Sequence, residues 1–369
     1  MNIALDAHYI DTDCGGIETY IYNLIKNLLD IDDDNRYYLY TSPRLKKGAA
    51  SFANDKVSTK RLLSDAGISR IFMDIPVKLL NDRPDIYHGQ VFLPISLAPV
   101  KKVLTLHDVF FLENPSWATV KEKIKFGHVY YSAKKADHII TVSDFSKNEI
   151  LKHLDLPEKK VSVIYSGVSD LFFKSPGSGL ISKNIKHKYS LPENYILYAG
   201  RINIRKNILT LLKSFADLKR RRKETIKLVI TGRMDGKNEN ISKIIAELNL
   251  NKDILLLGHI PYEDLPHVYS SAKLLIFIPF YEGFGLPPLE AMASGTPVIA
   301  SDIPVFREIL GDSALLVEPG NPDQVSSIMN DLLNDNNLMS DLTEKGLRRA
   351  RLFTWRDCAS KTMKIYNAL

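Results

Sequence analysis

Short apolar runs, each followed by a loop and a stretch with helical spacing, recur along the 369-residue chain. This alternation constrains the fold more than any other feature. Strands separated by helices are joined by crossovers, so they lie parallel in a sheet covered on both faces. The first run is Ile3 to Leu5, and after the Gly15-Gly16 turn apolar residues fall at 17, 20, 21, 24 and 28, the rhythm of an amphipathic helix. Further runs occur at 37–41, 85–88, 103–108, 138–143 and 161–167. After Ser143, Ser146 followed by Glu149 reads as a capping box. The pattern weakens between about 168 and 192, where Pro176, Gly177, Gly179 and Pro192 lie among Ser, Lys and Asn. It restarts at 195–200, 227–232, 254–258, 274–279, 297–301 and 314–319. The expected organisation is an α/β chain with one domain over 1–170, a linker over 171–192 and a second domain over 193–354.

Composition excludes several alternatives. With 45% hydrophobic and 25% charged residues and a formal charge of +6, the chain is neither a disordered tail nor basic enough for a typical nucleic-acid binder. Cys14 and Cys358 are too few for a disulfide framework, and no Cys/His cluster offers a structural zinc site. No apolar stretch approaches the ~18 residues of a membrane span. The opening MNIALDAHY reaches Asp6 too early for a signal-peptide core, so a cytoplasmic protein is expected. The excess charge is uneven. Residues 101–135 hold seven lysines against Asp108, Glu113 and Glu122, interleaved with Trp117, Phe126, Tyr130 and Tyr131. Basic residues among aromatics suit an anionic membrane surface, or else a solvated lysine face with its aromatics turned inward. The run 219–223 (KRRRK) closes a helical stretch, where cations suit the helix dipole.

In open α/β sheets, ligands bind beyond the carboxyl ends of the strands, and the chemically distinctive residues collect there. Arg201, Arg205 and Lys206 fall within RINIRKN, at a helix N-terminus that also favours anions, so this loop reads as a diphosphate clamp or a generic basic turn. In YEGFGLPPLEAMASGTPVIAS, Gly283 and Gly285 allow close backbone approach, while Glu282 and Glu290 can accept hydrogen bonds from neighbouring sugar hydroxyls. Gly283 to Pro288 only partly matches GxGxxG, because its sixth position is proline; dinucleotide binding is therefore disfavoured. His107-Asp108 ends an apolar run, where a histidine could donate to a sugar hydroxyl. GxSxG, HExxH and GxxxxGK[ST] are absent from the sequence.

EGFGLPPLE, followed by AMASGTPVIAS, together with GRINIRKN and the N-terminal double glycine, resembles the retaining glycosyltransferases of family 4. LHDVFFLENPSW is more loosely similar to members that transfer mannose in bacterial polysaccharide and O-antigen assembly. The resemblance implies a GT-B fold, two Rossmann-like domains facing across a cleft, with a last helix (355–369) packing back on the first. It implies that Arg201 and Lys206 hold the nucleotide diphosphate, Glu290 the ribose and Glu282 the transferred sugar. The backbone of Gly283, Phe284, Gly285 and Leu286 would reach the sugar and phosphate. Gly15 and Gly16 would admit the diphosphate or acceptor, and His107 would touch the donor sugar near the reaction centre. Ile260 would meet the nucleobase, and Asp108, by its position beside His107, could orient that histidine or an acceptor.

The activity so implied is hexose transfer with retention and without cofactor or metal, mannose from GDP-mannose being the first choice of donor and a UDP-hexose the second. The implied partners are a nucleotide-sugar and a glycan or lipid-linked acceptor, with peripheral contact at the inner membrane face through 101–135 and no nucleic acid. A nucleotide-sugar epimerase and a non-catalytic binding protein are the competing classes.

Overall fold

The computed structural model describes residues 1–12, 15–45, 52, 55–117, 120–174, 180–222, 225–234 and 241–369. Cys14 and Lys223 therefore lie outside the described residues. The chain divides into two compact units, Met1–Gly167 with Thr354–Leu369, and Val168–Phe353.

The first unit holds β1 (Asn2–Ala7), β2 (Arg36–Thr41), β3 (Val57–Arg61), β4 (Ile86–Gln90), β5 (Lys101–Thr105), β6 (His138–Thr141) and β7 (Val161–Val163), in the order β3-β2-β1-β4-β5-β6-β7. Every pairing in this sheet is parallel, with Asn2 opposite Arg36 and Ile3 opposite Ile86. Ile3 to Ala7 are all buried, as expected of a strand covered on both faces. β3 (VSTKR) was not legible in the sequence: it is a polar edge strand with Thr59 and Arg61 exposed and Val57, Ser58 and Lys60 half-buried. β5 ends at Thr105, so Leu106, His107 and Asp108 belong to the following loop and not to the strand.

The helix Asp144–Leu154 is capped by Ser143, whose side chain accepts the Ser146 N–H at 3.0 Å. The expected box was thus misplaced by one turn: Ser146 is the residue being capped, and Glu149 instead pairs with Lys152 and His153. The helix Trp355–Ala368, capped by Thr354, buries Trp355, Cys358, Ala359, Thr362 and Tyr366 and belongs to the first unit.

The second unit holds β8 (Tyr195–Ala199), β9 (Lys227–Thr231), β10 (Ile254–Gly258), β11 (Leu274–Phe277), β12 (Val298–Ser301) and β13 (Leu315–Val317), ordered β10-β9-β8-β11-β12-β13 and again parallel throughout. The stretch 171–192, expected as a linker, falls inside this unit and carries the helices Asp170–Phe173 and Leu180–Lys188. Its Pro176, Gly177 and Gly179, which prompted that expectation, lie outside the described residues. The helix Ile208–Arg221 buries Ile208, Leu211, Leu212, Phe215 and Leu218, and carries Lys219, Arg220 and Arg221 in its last turn. Lys219 reaches Asp253 at 2.9 Å and Arg221 reaches Asp217 at 2.6 Å, so part of the basic run is structural.

In both sheets the strand order reverses once, at β1/β4 and at β8/β11. These switch points are where an open α/β sheet leaves a crevice at its carboxyl edge.

Candidate active site

At the β8/β11 switch point two loops are tied together. Asn203 accepts the Lys206 N–H at 3.1 Å and so caps a short turn, Ile204–Lys206. Asn207 adopts a left-handed φ of 58°, and its amide donates to the carbonyls of Ile278 at 3.0 Å and Pro319 at 2.6 Å. Lys206 Nζ donates to Glu282 Oε1 at 2.5 Å. Arg205 donates to Glu282 Oε2 and to the Tyr281 carbonyl, both at 3.0 Å. The Lys206 ammonium also lies 5.0 Å from the Phe277 ring centroid. Burial pushes the Glu282 carboxyl up, but the adjoining Lys206 and Arg205 outweigh burial and hold it below its ordinary value.

Glu290 is in the opposite regime. It sits in the helix Leu286–Ala293 and accepts the Tyr269 hydroxyl at 3.1 Å. Burial, only partly offset by that hydrogen bond, pushes its carboxyl up to about 7. Gly285 starts this helix at φ 100°, ψ 57°, and a Cβ there would lie 2.5 Å from the Phe306 ring. Only glycine meets both conditions. Gly283 is buried, Phe284 packs edge-on against Phe353 at 5.8 Å, and Leu286 opens the helix half-buried. At the neighbouring strand ends, a Cβ on Gly232 would lie 1.9 Å from the Gly200 carbonyl oxygen, so the backbones touch where a side chain could not fit. Arg201 is half-buried and its carbonyl accepts the Tyr198 hydroxyl at 2.8 Å. Ile260 is buried in the loop after β10, which is the edge strand and two strands away from β8. Arg205, to which the resemblance assigned no role, stands beside Lys206 on Glu282.

The first unit carries Gly15, Gly16, His107 and Asp108. Gly15 is the N-cap of the helix Gly16–Ile31, which has no side-chain cap. The His107 ring stands edge-on to Tyr20, with centroids 4.7 Å apart. Burial pushes its imidazole down to about 4, so it is neutral at pH 7, and its buried Nε2 has no hydrogen-bond partner among the described residues. Asp108 lies half-buried next to it in the loop.

Around the β1/β4 switch point lie residues that the sequence reading missed. Asp6 Oδ1 is 2.6 Å from His8 Nδ1, and Arg70 donates to Asp6 Oδ2 at 3.3 Å and contacts the His8 ring. All three are buried. Burial pushes Asp6 up, but His8 and Arg70 outweigh it and hold the carboxyl low; His8 is pushed down by burial, against the pull of Asp6. Gln90, fully buried at the end of β4, has no hydrogen-bond partner for either end of its amide among the described residues. A buried amide in that state is costly unless a polar group reaches it. His88, also buried, lies 2.6 Å from the Tyr366 hydroxyl and 2.7 Å from Thr105 Oγ1. The one available signal was period-two spacing, since Asp6/His8 and His88/Gln90 each sit two apart at a strand end.

Elsewhere, Glu113, Glu149 and His153 bring ligand-type atoms within 4.8 Å of one another. Lys152 already neutralises those carboxylates, lying 3.1 Å from Glu113 and 3.5 Å from Glu149. No helix among the described residues is long and apolar enough to cross a membrane.

Two parallel α/β units with polar groups at their switch points fit the GT-B class of glycosyltransferase, and similarity to known proteins assigns the chain to it. The family model for Glycosyltransferase Family 4 matches residues 14–170, and that for Glycosyl transferases group 1 matches residues 182–349. The O-antigen chain mannosyltransferase B of Escherichia coli is 32% identical over 296 residues, which is 79% of this chain and 76% of that protein. The O-antigen chain mannosyltransferase RfbU of Salmonella typhimurium is 34% identical over 219 residues, 59% of this chain and 57% of the relative. Among solved structures, sucrose-phosphate synthase from Thermosynechococcus elongatus has a TM-score of 0.78 at 20% identity, covering 100% of this chain and 98% of that one. WaaG, a glycosyltransferase involved in lipopolysaccharide biosynthesis, also has a TM-score of 0.78, at 14% identity and 99% coverage of both chains. The chain belongs to glycosyltransferase family 4 and is a glycosyltransferase.

Proposed function

We propose that this enzyme transfers a hexose, with retention of configuration and without a metal, from a nucleotide-sugar to a glycan or lipid-linked glycan in O-antigen-type polysaccharide assembly. It would do so in the cytoplasm, peripherally at the inner membrane face. The observation that carries this reading is the Lys206–Glu282–Arg205 arrangement at the β8/β11 switch point, with Glu290 on the adjoining helix. Lys206, with Arg201 and Arg205 in the same loop, neutralises the negative charge that a departing diphosphate develops, which is the work a metal would otherwise do. Glu290 accepts from the ribose. In this reading the backbone of Gly283 to Leu286 reaches the sugar and phosphate, and Glu282 contacts the transferred hexose.

No base carboxylate stands out for the acceptor, so a donor phosphate oxygen takes the acceptor proton and attack occurs on the same face. His107, neutral at pH 7, donates to the hexose near the reaction centre, with Asp108 on the acceptor side. The named relatives support mannose, and with it GDP-mannose as donor.

A thermal-shift panel with GDP, UDP, ADP and dTDP tests the donor, because a ligand bound at 100 times its Kd stabilises by about 2.7 kcal/mol. GDP should give the largest shift, and a larger shift with UDP reassigns the base. Anomer-resolved NMR of the product tests the stereochemistry: an inverted anomer would defeat the same-face mechanism. Turnover of donor with no acceptor present would indicate an epimerase.

A further inference from the structure

His88 takes no part in the proposed transfer, yet it is fully buried and hydrogen-bonded through both ring nitrogens. It sits on β4 opposite Val103, so it shares a face of the sheet with Thr105, the last residue of β5. Its Nε2 lies 2.7 Å from Thr105 Oγ1, and its Nδ1 lies 2.6 Å from the Tyr366 hydroxyl. Burial holds the imidazole at about 3, so the ring is neutral and offers one donor and one acceptor. The chain Tyr366–His88–Thr105 therefore has a direction: when one nitrogen donates, the other must accept.

From Thr105 the contacts lead on to His107. The Tyr20 hydroxyl lies 3.3 Å from Thr105 Oγ1, and the Tyr20 ring stands edge-on to the His107 ring, at an interplanar angle of 89°. The helix Trp355–Ala368 holds both ends of this series. Its Tyr366 anchors His88, its Trp355 ring lies 5.8 Å from the Tyr20 ring, and its Cys358 bonds the Tyr20 hydroxyl. Tyr20, His88, Thr105, Cys358 and Tyr366 are all buried, so water does not compete for these bonds. A support of this kind is what His107 otherwise lacks. A functional imidazole is ordinarily oriented by a hydrogen bond on the nitrogen not in use, and the buried Nε2 of His107 makes none among the described residues. The backbone leading into it is pinned, because the Thr105 carbonyl accepts the Val91 N–H and the Leu106 N–H donates to the Ile140 carbonyl, each at 2.9 Å. The ring itself takes its orientation from packing, and Tyr20 supplies that contact.

We propose that His88, anchored by Tyr366, is a positioning residue for the transfer: through Thr105 and Tyr20 it fixes the ring of His107, which makes the helix Trp355–Ala368 part of the reaction's support. The proposal rests on the reading of His107 as the group that donates to the hexose. A buried polar series also pins a helix to a sheet, and the two roles separate by experiment.

Tyr366→Phe keeps the ring and removes the hydroxyl. In proton–nitrogen correlation spectra of the histidine rings of the full chain without ligand, the His88 resonances should move and those of His107 should move with them. Unchanged His107 resonances overturn the proposal. If Tyr366→Phe fails to fold, Thr105→Val serves in its place, with Thr105→Ser, which keeps the hydroxyl, expected to restore the wild-type spectrum. The second readout is turnover of GDP-mannose, or of UDP-glucose where UDP gives the larger thermal shift. In Tyr366→Phe kcat should fall about tenfold to a hundredfold with KM unchanged, and the loss should vanish when the same substitution is made in His107→Ala. A loss that persists in the His107→Ala background overturns the proposal, because the tyrosine then acts without the histidine. Wild-type turnover by His107→Ala alone would instead strike the reading of His107 as donor, while His107 resonances that still move in Tyr366→Phe uphold the connection between the two.

Discussion

The two units place polar groups at equivalent positions of their sheets but equip them differently. In the second, the acid at the switch point is fully paired: Glu282 takes Lys206 on one oxygen and Arg205 on the other. In the first, a single ion pair, Asp6 with Arg70, is accompanied by neutral groups: His8, His88 and His107 are all pushed below the ordinary imidazole value, and the Gln90 amide lacks partners among the described residues. One edge is built to manage charge, and the other to present hydrogen-bonding groups with little net charge. A transferase needs both, since its leaving group is an anion and its acceptor a hydroxyl.

The largest expected effect tests the buried Asp6–Arg70 ion pair at the first unit's switch point. Arg70→Met leaves the Asp6 carboxylate buried beside a neutral histidine and should cost about 3–5 kcal/mol in urea unfolding. Adding Asp6→Asn should restore much of that loss. A single variant as stable as the wild type would mean that the cluster is not a charged pair. Next comes Lys206→Ala, which removes the cation that faces Glu282 and, in the proposed function, the diphosphate. Turnover should fall about 10²–10³-fold, and an unchanged rate removes the clamp assignment.

Third is the pH response of Glu290. Its carboxyl is raised to about 7 in the folded chain, so the native state binds more protons than the unfolded state between about 4.5 and 7. Its contribution therefore falls as pH rises through that window. Nucleotide affinity should move the opposite way, rising from pH 6 to 8 as the carboxylate forms, and calorimetry on Glu290→Gln should show a flat profile. For His88 and His107, lowered to about 3 and about 4, the sign reverses: the native state binds fewer protons. Their contribution is complete above about 6.5 and is lost as pH falls towards 4. The smallest effect is Ser143→Ala, which removes a helix cap and should cost about 1 kcal/mol.

The same contrast explains what could be read in advance. Two successive parallel sheets were visible because buried strands such as YILYA and LLIFIP are uninterrupted apolar runs. The second unit's site was largely visible as well. Its groups lie on two loops, each local in sequence, and Gly285 and the prolines after it punctuate the start of the helix. The first unit's cluster is assembled from residues 6, 8, 70 and 90, contributed by two strands and a helical segment, and no spacing connects Arg70 to Asp6. The edge strand β3 lacked an apolar face, and the helix Leu180–Lys188 lay in a stretch whose Pro and Gly read as a break. His107 was found by its position after a strand, but its neutrality comes from burial, which only the packed structure reveals.

The pairing of Glu282 also bears on how a substrate enters. Lys206 and Arg205 are not bare cations waiting for phosphate, because each already has a resident counter-ion fixed in the same loop system. Under the proposed function, binding a diphosphate there would be an exchange of anions, in which the incoming ligand competes with or shares the place of a carboxylate that cannot diffuse away. Such exchange would temper affinity for any small anion, since sulfate or free phosphate would have to displace a tethered rival. It would also give the spent nucleotide a competitor at the moment of release. A site of this design would favour turnover over filling once.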